Sequence, residues 1–145
     1  MTTLPRNQLS MTGPMEEQSH PDTPRLPVLL VDDNVDCCTL MAKLLRAMGY
    51  QVDVAYDGRS ALRLIDQRKY GIAILDYEMP GMNGVDLFRR IRRARPDLAA
   101  VFVTGFTGID VVYPAVEAGI LRVFSKPVDF QQLLPVVEEQ IGTAA

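Results

Sequence analysis

Residues 71–84 read GIAILDYEMPGMNG. An unbroken apolar run, Ile72 to Leu75, goes straight into a carboxylate, Asp76, and then into two turn signals, Met79-Pro80-Gly81 and Asn83-Gly84. A short apolar run without alternation, closed by glycine and proline, reads as a strand covered on both faces, the strand of a parallel sheet. A carboxylate at the end of such a strand must face something that balances its charge.

Outward from this stretch the pattern repeats. PVLLVDD (27–33) is a second apolar run ending in acids, and NVDCCTLMAKLLRAMG (34–49) is helical, with Cys38, Met41, Ala42, Leu45 and Met48 on one face and Gly49 as the stop. YQVDVAY (50–56) alternates as a strand, and DGRSALRLIDQRKY (57–70) places Ala61, Leu62 and Ile65 on one helical face. GVDLFRRIRRARP (84–96) brings Leu87, Phe88, Ile91 and Ala94 together and stops at Pro96. AAVFVTG (99–105) is a fourth strand, DVVYPAVEAG (110–119) a weaker helix, LRVFS (121–125) a fifth strand and DFQQLLPVVEEQI (129–141) a closing helix. Strand and helix alternating five times predict an α/β fold: a five-stranded parallel sheet with right-handed crossovers and helices on both faces. Proline inside the last two helices, Pro114 and Pro135, predicts a short or kinked fourth helix preceded by a mobile GFTGI loop.

Residues 1–26 are rich in Pro, Ser, Thr and Gln without periodicity and read as a flexible tail; Met11 and Met15 inside it are candidates for the true translation start. The 145-residue length suits one domain, 27–142, and no output domain is expected after it. A net charge of -3 gives no global attraction to nucleic acid or to an anionic membrane, and RRIRRAR (89–95) reads as a solvated helix face. No run is long enough for a membrane span and no signal-peptide pattern opens the chain, so a cytoplasmic protein is expected. The adjacent Cys37 and Cys38 read as packing residues, since nothing completes a metal-ligand set around them.

In a sheet of this kind ligands bind beyond the carboxyl ends of the strands. The residues there are Asp32 and Asp33, Asp76, Thr104 and Lys126. Each has an ordinary structural reading: Asp33 or its neighbour Asn34 as the cap of the first helix, Asp76 as a turn former, Thr104 as a β-branched strand residue, Lys126 as a snorkelling lysine. Together they form three carboxylates, a hydroxyl and an ammonium on one sheet edge. Crowded carboxylates need compensation, and an all-oxygen donor set suits Mg2+, with Mn2+ as a substitute. A carboxylate nucleophile beside a metal, a lysine and a hydroxyl is suited to phosphoryl transfer. Neither a P-loop nor a GxGxxG fingerprint is present, so the phosphoryl donor is not a nucleotide bound by this chain.

The ordered set LLVDD, AILDYEMPGMNG, VFVTG and FSKP resembles the receiver (response regulator) domains of two-component signal transduction over about residues 27–141. The resemblance implies strand order 2-1-3-4-5, the flavodoxin-like (βα)5 topology. It makes Asp76 the phosphoacceptor and Asp33 the direct Mg2+ ligand, with Asp32 acting through a metal-bound water. It adds the backbone carbonyl of Glu78 to the metal shell, Thr104 as the hydroxyl that reports the phosphoryl group and Lys126 as its ammonium contact, and it makes the Lys126-Pro127 bond cis. Phe106 and Glu78, each two residues past a site residue, are expected to set the phosphoryl lifetime, with Gly105 beside them. It also implies a sensor histidine kinase or a histidine phosphotransfer protein as partner. The output would be a switched helix 4–strand 5–helix 5 surface that engages a downstream protein or, after phosphorylation, a second copy of the chain. Such a chain is a single-domain phosphoprotein rather than an enzyme, catalysing only its own phosphorylation and dephosphorylation; one alternative is a phosphorelay intermediate. Val123 departs from the family, which often carries an aromatic there as the partner of the threonine. Alternation turns Phe124 to the other face, while Val111, Val112 and Tyr113 read either as docking residues or as core. Two rivals rank lower. An Asp-nucleophile phosphohydrolase would need a capping insertion, and a flavodoxin-like electron carrier would need a strand edge that does not repel a flavin phosphate.

Overall fold

The computed structural model describes residues 25–105 and 108–142. Ten elements alternate along the chain: β1 (Val28–Val31), α1 (Val35–Ala47), β2 (Val52–Ala55), α2 (Gly58–Gln67), β3 (Ile72–Asp76), α3 (Gly84–Ala94), β4 (Ala99–Thr104), α4 (Ile109–Ala118), β5 (Arg122–Ser125) and α5 (Phe130–Ile141). All pairings are parallel, in the order β2-β1-β3-β4-β5. This is the expected 2-1-3-4-5 sheet, with β3 at its centre and every side chain from Ile72 to Asp76 buried.

The two faces of the sheet have separate cores. Leu29, Val31, Ala73, Leu75, Ala100 and Phe102 pack with Ala61 and Ile65 of α2, Leu87, Phe88 and Ile91 of α3, and Ala115 of α4. Val28, Leu30, Ile72, Ile74, Val101, Val103 and Phe124 pack with Cys38, Ala42 and Leu45 of α1 and Leu133, Val137 and Ile141 of α5. Each fully buried Leu, Ile or Phe contributes on the order of 1.5–3 kcal/mol. The alternation along β5 is as expected: Val123 packs against the first core and Phe124 belongs to the second.

Four helices begin at a side chain that accepts a backbone N–H: Asn34, Asp57, Asn83 and Asp129. α3 ends at Ala94, its Arg95 cap lying just before Pro96, and Ala94 is exposed rather than part of the apolar cluster. α4 is a short helix of ten residues that continues through Pro114, so the proline costs one hydrogen bond to the Asp110 carbonyl without ending the helix. Val111 is buried, Val112 half-buried and Tyr113 exposed, which splits the two readings of that trio. Cys38 is core, but Cys37 is exposed and does not pack. The buried arc of α1 is narrow, running through Cys38, Ala42 and Leu45, and Cys37 lies about 100° away from it. The GFTGI loop includes Phe106 and Thr107, which lie outside the described residues.

The turn after β3 is held against the sheet by Gly84. Its N–H donates to the Tyr77 carbonyl at 2.8 Å, and a Cβ placed there would lie 2.9 Å from Tyr77 Cα and 3.1 Å from the Asp76 carbonyl oxygen. The obstacles are backbone, which cannot rotate away. Gly84→Ala is expected to destabilise the fold by about 1–3 kcal/mol; urea unfolding that shows no change would remove this reading of the turn.

Candidate functional site

The strand ends bring the acidic residues together. One carboxylate oxygen from each of Asp32, Asp33 and Asp76 lies within 4.8 Å of the others. Asp32 and Asp76 are buried, whereas Asp33 is exposed. Their burial follows from strand parity. Asp32 continues the Val28–Leu30 face of β1, Asp76 the Ile72–Ile74 face of β3, and Lys126 the Phe124 face of β5, all on the α1–α5 side. Thr104 is fully buried and continues the Ala100–Phe102 face of β4, on the other side of the sheet.

Lys126 bridges the cluster. Its Nζ donates to Asp32 Oδ2 at 2.9 Å and lies 3.6 Å from Asp76 Oδ1. The β4–β5 pairing places it there, since Lys126 N–H donates to the Thr104 carbonyl at 2.8 Å and the Lys126-Pro127 bond is cis, as expected. Backbone donors hold the carboxylates: Asn34 N–H to Asp32 Oδ1 at 2.9 Å and Glu78 N–H to Asp76 Oδ1 at 3.3 Å. Asn34 Oδ1 caps α1 by accepting from Cys37 N–H at 3.0 Å. The capping duty therefore falls on Asn34, and the Asp33 carboxylate makes no hydrogen bond among the described residues. Glu78 and Gly105 are exposed at the rim and Val123 is half-buried. Phe106 is outside the described residues.

The electrostatics show a charge deficit. Burial and the neighbouring Asp32 carboxylate, against the opposing pull of Lys126 and the Glu78 N–H, push the Asp76 carboxyl up to about 7. Burial alone would lower the Lys126 ammonium, but its hydrogen bond to Asp32 and the charges of Asp32 and Asp76 turn the net shift upward. One lysine does not balance three carboxylates. The oxygen-only donors and the remaining negative charge fit a hard divalent cation such as Mg2+, with Asp32, Asp33 and Asp76 as the residues to hold it.

Sequence reasoning missed Gly84 and Cys38 as supports of the site. The Cys38 thiol is pushed up to about 12 by burial and by the Asp32 carboxylate, so it lies inert beneath that residue. The Asn83-Gly84 pair carried a signal, a cap followed by a residue without a side chain. Cys38 carried none. A cavity of about 630 Å³, lined by Leu26, Lys69, Tyr70, Gly71, Arg95 and Leu98 among others, lies at the opposite end of the sheet.

With this geometry in place, the comparisons with known proteins agree. The response regulator receiver domain family matches residues 28–138, and the chain belongs to that family. It is 31% identical over 118 residues to the transcriptional regulatory protein ZraR of Salmonella typhimurium, covering 81% of this chain and 27% of that one. The chain thus spans about a quarter of that relative's length. It is 25% identical over 114 residues to the sporulation initiation phosphotransferase F of Bacillus subtilis, covering 79% of this chain and 92% of that one. Among solved structures, the signal receiver domain of an HD domain-containing protein from Pseudomonas fluorescens Pf-5 superposes with a TM-score of 0.76 at 30% identity, covering 81% of this chain and 94% of that one. No described helix is long and apolar enough to cross a membrane.

The raised Asp76 carboxyl has a consequence for stability. The folded state holds that proton more tightly than the unfolded chain between about pH 4 and 7. Stability therefore falls as pH rises through that window, and the cost persists above it. In EDTA at pH 8, Asp76→Asn is expected to stabilise the protein by roughly 1–3 kcal/mol, with little effect at pH 4. Equal melting of the two proteins at pH 8 would contradict the charge deficit.

Proposed function

We propose that this receiver domain accepts a phosphoryl group on Asp76 from a histidine phosphodonor. The observation that carries this is the Lys126 ammonium held between Asp32 and Asp76 at the carboxyl end of the central strand. An Asp76 carboxylate oxygen attacks phosphorus, the bond from phosphorus to the donor imidazole nitrogen breaks, and an acyl phosphate forms. Lys126 is placed to meet the phosphoryl oxygens, and Thr104 adds a hydroxyl from the neighbouring strand. A divalent cation held by Asp32, Asp33 and Asp76, with the Glu78 carbonyl as a further ligand, would neutralise phosphoryl charge.

The donor has an approach route. Leu40, Leu44 and Met48 are exposed on α1 and its cap, and together with Cys37 they form an apolar stripe along the helix that starts beside Asp33. A donor helix carrying the phosphohistidine fits that stripe. On the output side, the added charge pulls Thr104 and Lys126 inward and shifts α4, β5 and α5. α4 exposes Ile109, Tyr113 and Val116 at that surface, where a downstream protein or a second copy of the chain docks. Val123 is too small and stiff to act as an aromatic switch, so the movement passes through the backbone that ties Lys126 to Thr104.

A second reading is a phosphorelay intermediate that passes the group on to another histidine. The match over 92% of a protein named a sporulation initiation phosphotransferase favours it. Either role suits a cytoplasmic protein. Incubation with Mg2+ and a small acyl or amido phosphate is expected to add one phosphoryl group by intact mass. Asp76→Asn should abolish the adduct and Lys126→Ala should slow its formation by about 100-fold. An adduct that survives Asp76→Asn overturns the assignment.

A further inference from the structure

The charge of the helical layers is unequal. α2 and α3 together carry six arginines, Arg59, Arg63, Arg89, Arg90, Arg92 and Arg93, against two aspartates, Asp66 and Asp86. All six arginines are exposed, and the two helices pack side by side. This sits in a chain whose net charge is -3.

Most of these side chains have no structural task. Arg92 lies over the Phe88 ring at 5.2 Å, and Arg63 donates to Ser60 Oγ at 3.2 Å. Arg59, Arg89, Arg90 and Arg93 make no hydrogen bond or ion pair among the described residues, although Arg59 and Arg63 stand in the field of the Asp57 carboxylate that caps α2. A helix face stabilised by its own charges alternates sign at a spacing of four. Here Asp86 lies three before Arg89 and four before Arg90, but the residue four on from Arg89 is Arg93, so the four arginines of α3 share one acid on their own helix. The helix dipole accounts for Arg92 and Arg93 in the last turn of α3, and for none of Arg59, Arg89 and Arg90.

We propose that the outer face of α2 and α3 binds the phosphate backbone of duplex DNA without reading its sequence. The choice of partner follows from what the face lacks. Among the described residues, the exposed large apolar side chains lie on α1, on α4 and in the segments next to α1, α2 and β5. None lies on α2 or α3. Protein interfaces bury an apolar core and a helix lying in a membrane surface buries an apolar face, and this surface offers neither. Unpaired bases need aromatic platforms. Duplex phosphates need only positive charge, and guanidinium forks match their oxygens. The α3 ridge spaces its charges by about 6 Å, and α2 adds a second row about 8–10 Å away.

The test is anisotropy of a labelled random-sequence duplex titrated with the full chain. With three or four phosphates contacted, tripling the salt should weaken binding by about 20- to 50-fold. Arg89→Glu/Arg93→Glu should weaken it by at least about tenfold, and Arg89→Gln/Arg93→Gln by less. The variants should keep the wild-type thermal melt and wild-type phosphoryl acceptance on Asp76, so the two proposals fail separately. If the Glu pair does not fold, the Gln pair carries the test. The proposal is overturned if the wild-type chain does not bind the duplex at low salt, or if the folded variants bind as well as wild type. Preference for a polyglutamate peptide or for anionic lipid vesicles over the duplex also overturns it.

Discussion

The structure is organised around the mutual repulsion of three carboxylates at the edge of an apolar sheet. Asp32 and Asp76 are buried on the same side of adjacent strands, and their oxygens stand within a few ångströms of each other and of Asp33. Like charges in so small a space would separate if the chain allowed it. It does not, because β1 and β3 are paired in register and covered on both faces. The fold thus contributes the energy that keeps the charges together, and Lys126 returns part of it. The remaining imbalance suits the edge to a divalent cation.

Rigidity and responsiveness are divided between the two sides of this edge. The acceptor strand is fixed by the central position of β3 and by the close approach of Gly84 to the backbone at Asp76 and Tyr77. Tyr77 in turn packs edge-on against Phe102, with ring centroids 5.5 Å apart. Lys126 comes from edge strand β5, which has one neighbour and whose Arg122 and Ser125 are exposed. The lysine that the proposed mechanism sets against the phosphoryl group therefore sits on the more adjustable strand. In that proposal a signal generated at the fixed strand leaves through the adjustable one.

The βα alternation and the position of the acids were legible in the sequence for one reason. Both are local: an apolar run, a carboxylate and a turn former lie next to one another along the chain. What depends on packing was not legible. The apolar residues of α1 cover more than half of its circumference, so periodicity cannot say which arc meets the sheet. Cys38, Ala42 and Leu45 do, while Leu40, Leu44 and Met48 are exposed. Asp33 and Asn34 were both plausible caps, and only the hydrogen bond to Cys37 N–H separates them. The arginines of α3 read as a solvated face because one helix shows only its own charges. Their excess over acids becomes visible once α2 lies beside them.

The most direct test of the central claim is to locate the phosphoryl group by chemistry. After reaction with Mg2+ and a small phosphodonor, borohydride reduces an aspartyl phosphate to homoserine, and sequencing of the peptides by mass spectrometry finds the altered residue. The account predicts homoserine at position 76 alone, and none when the donor is omitted. Homoserine at Asp32 or Asp33 instead, or a phosphoryl group that resists borohydride, would contradict it.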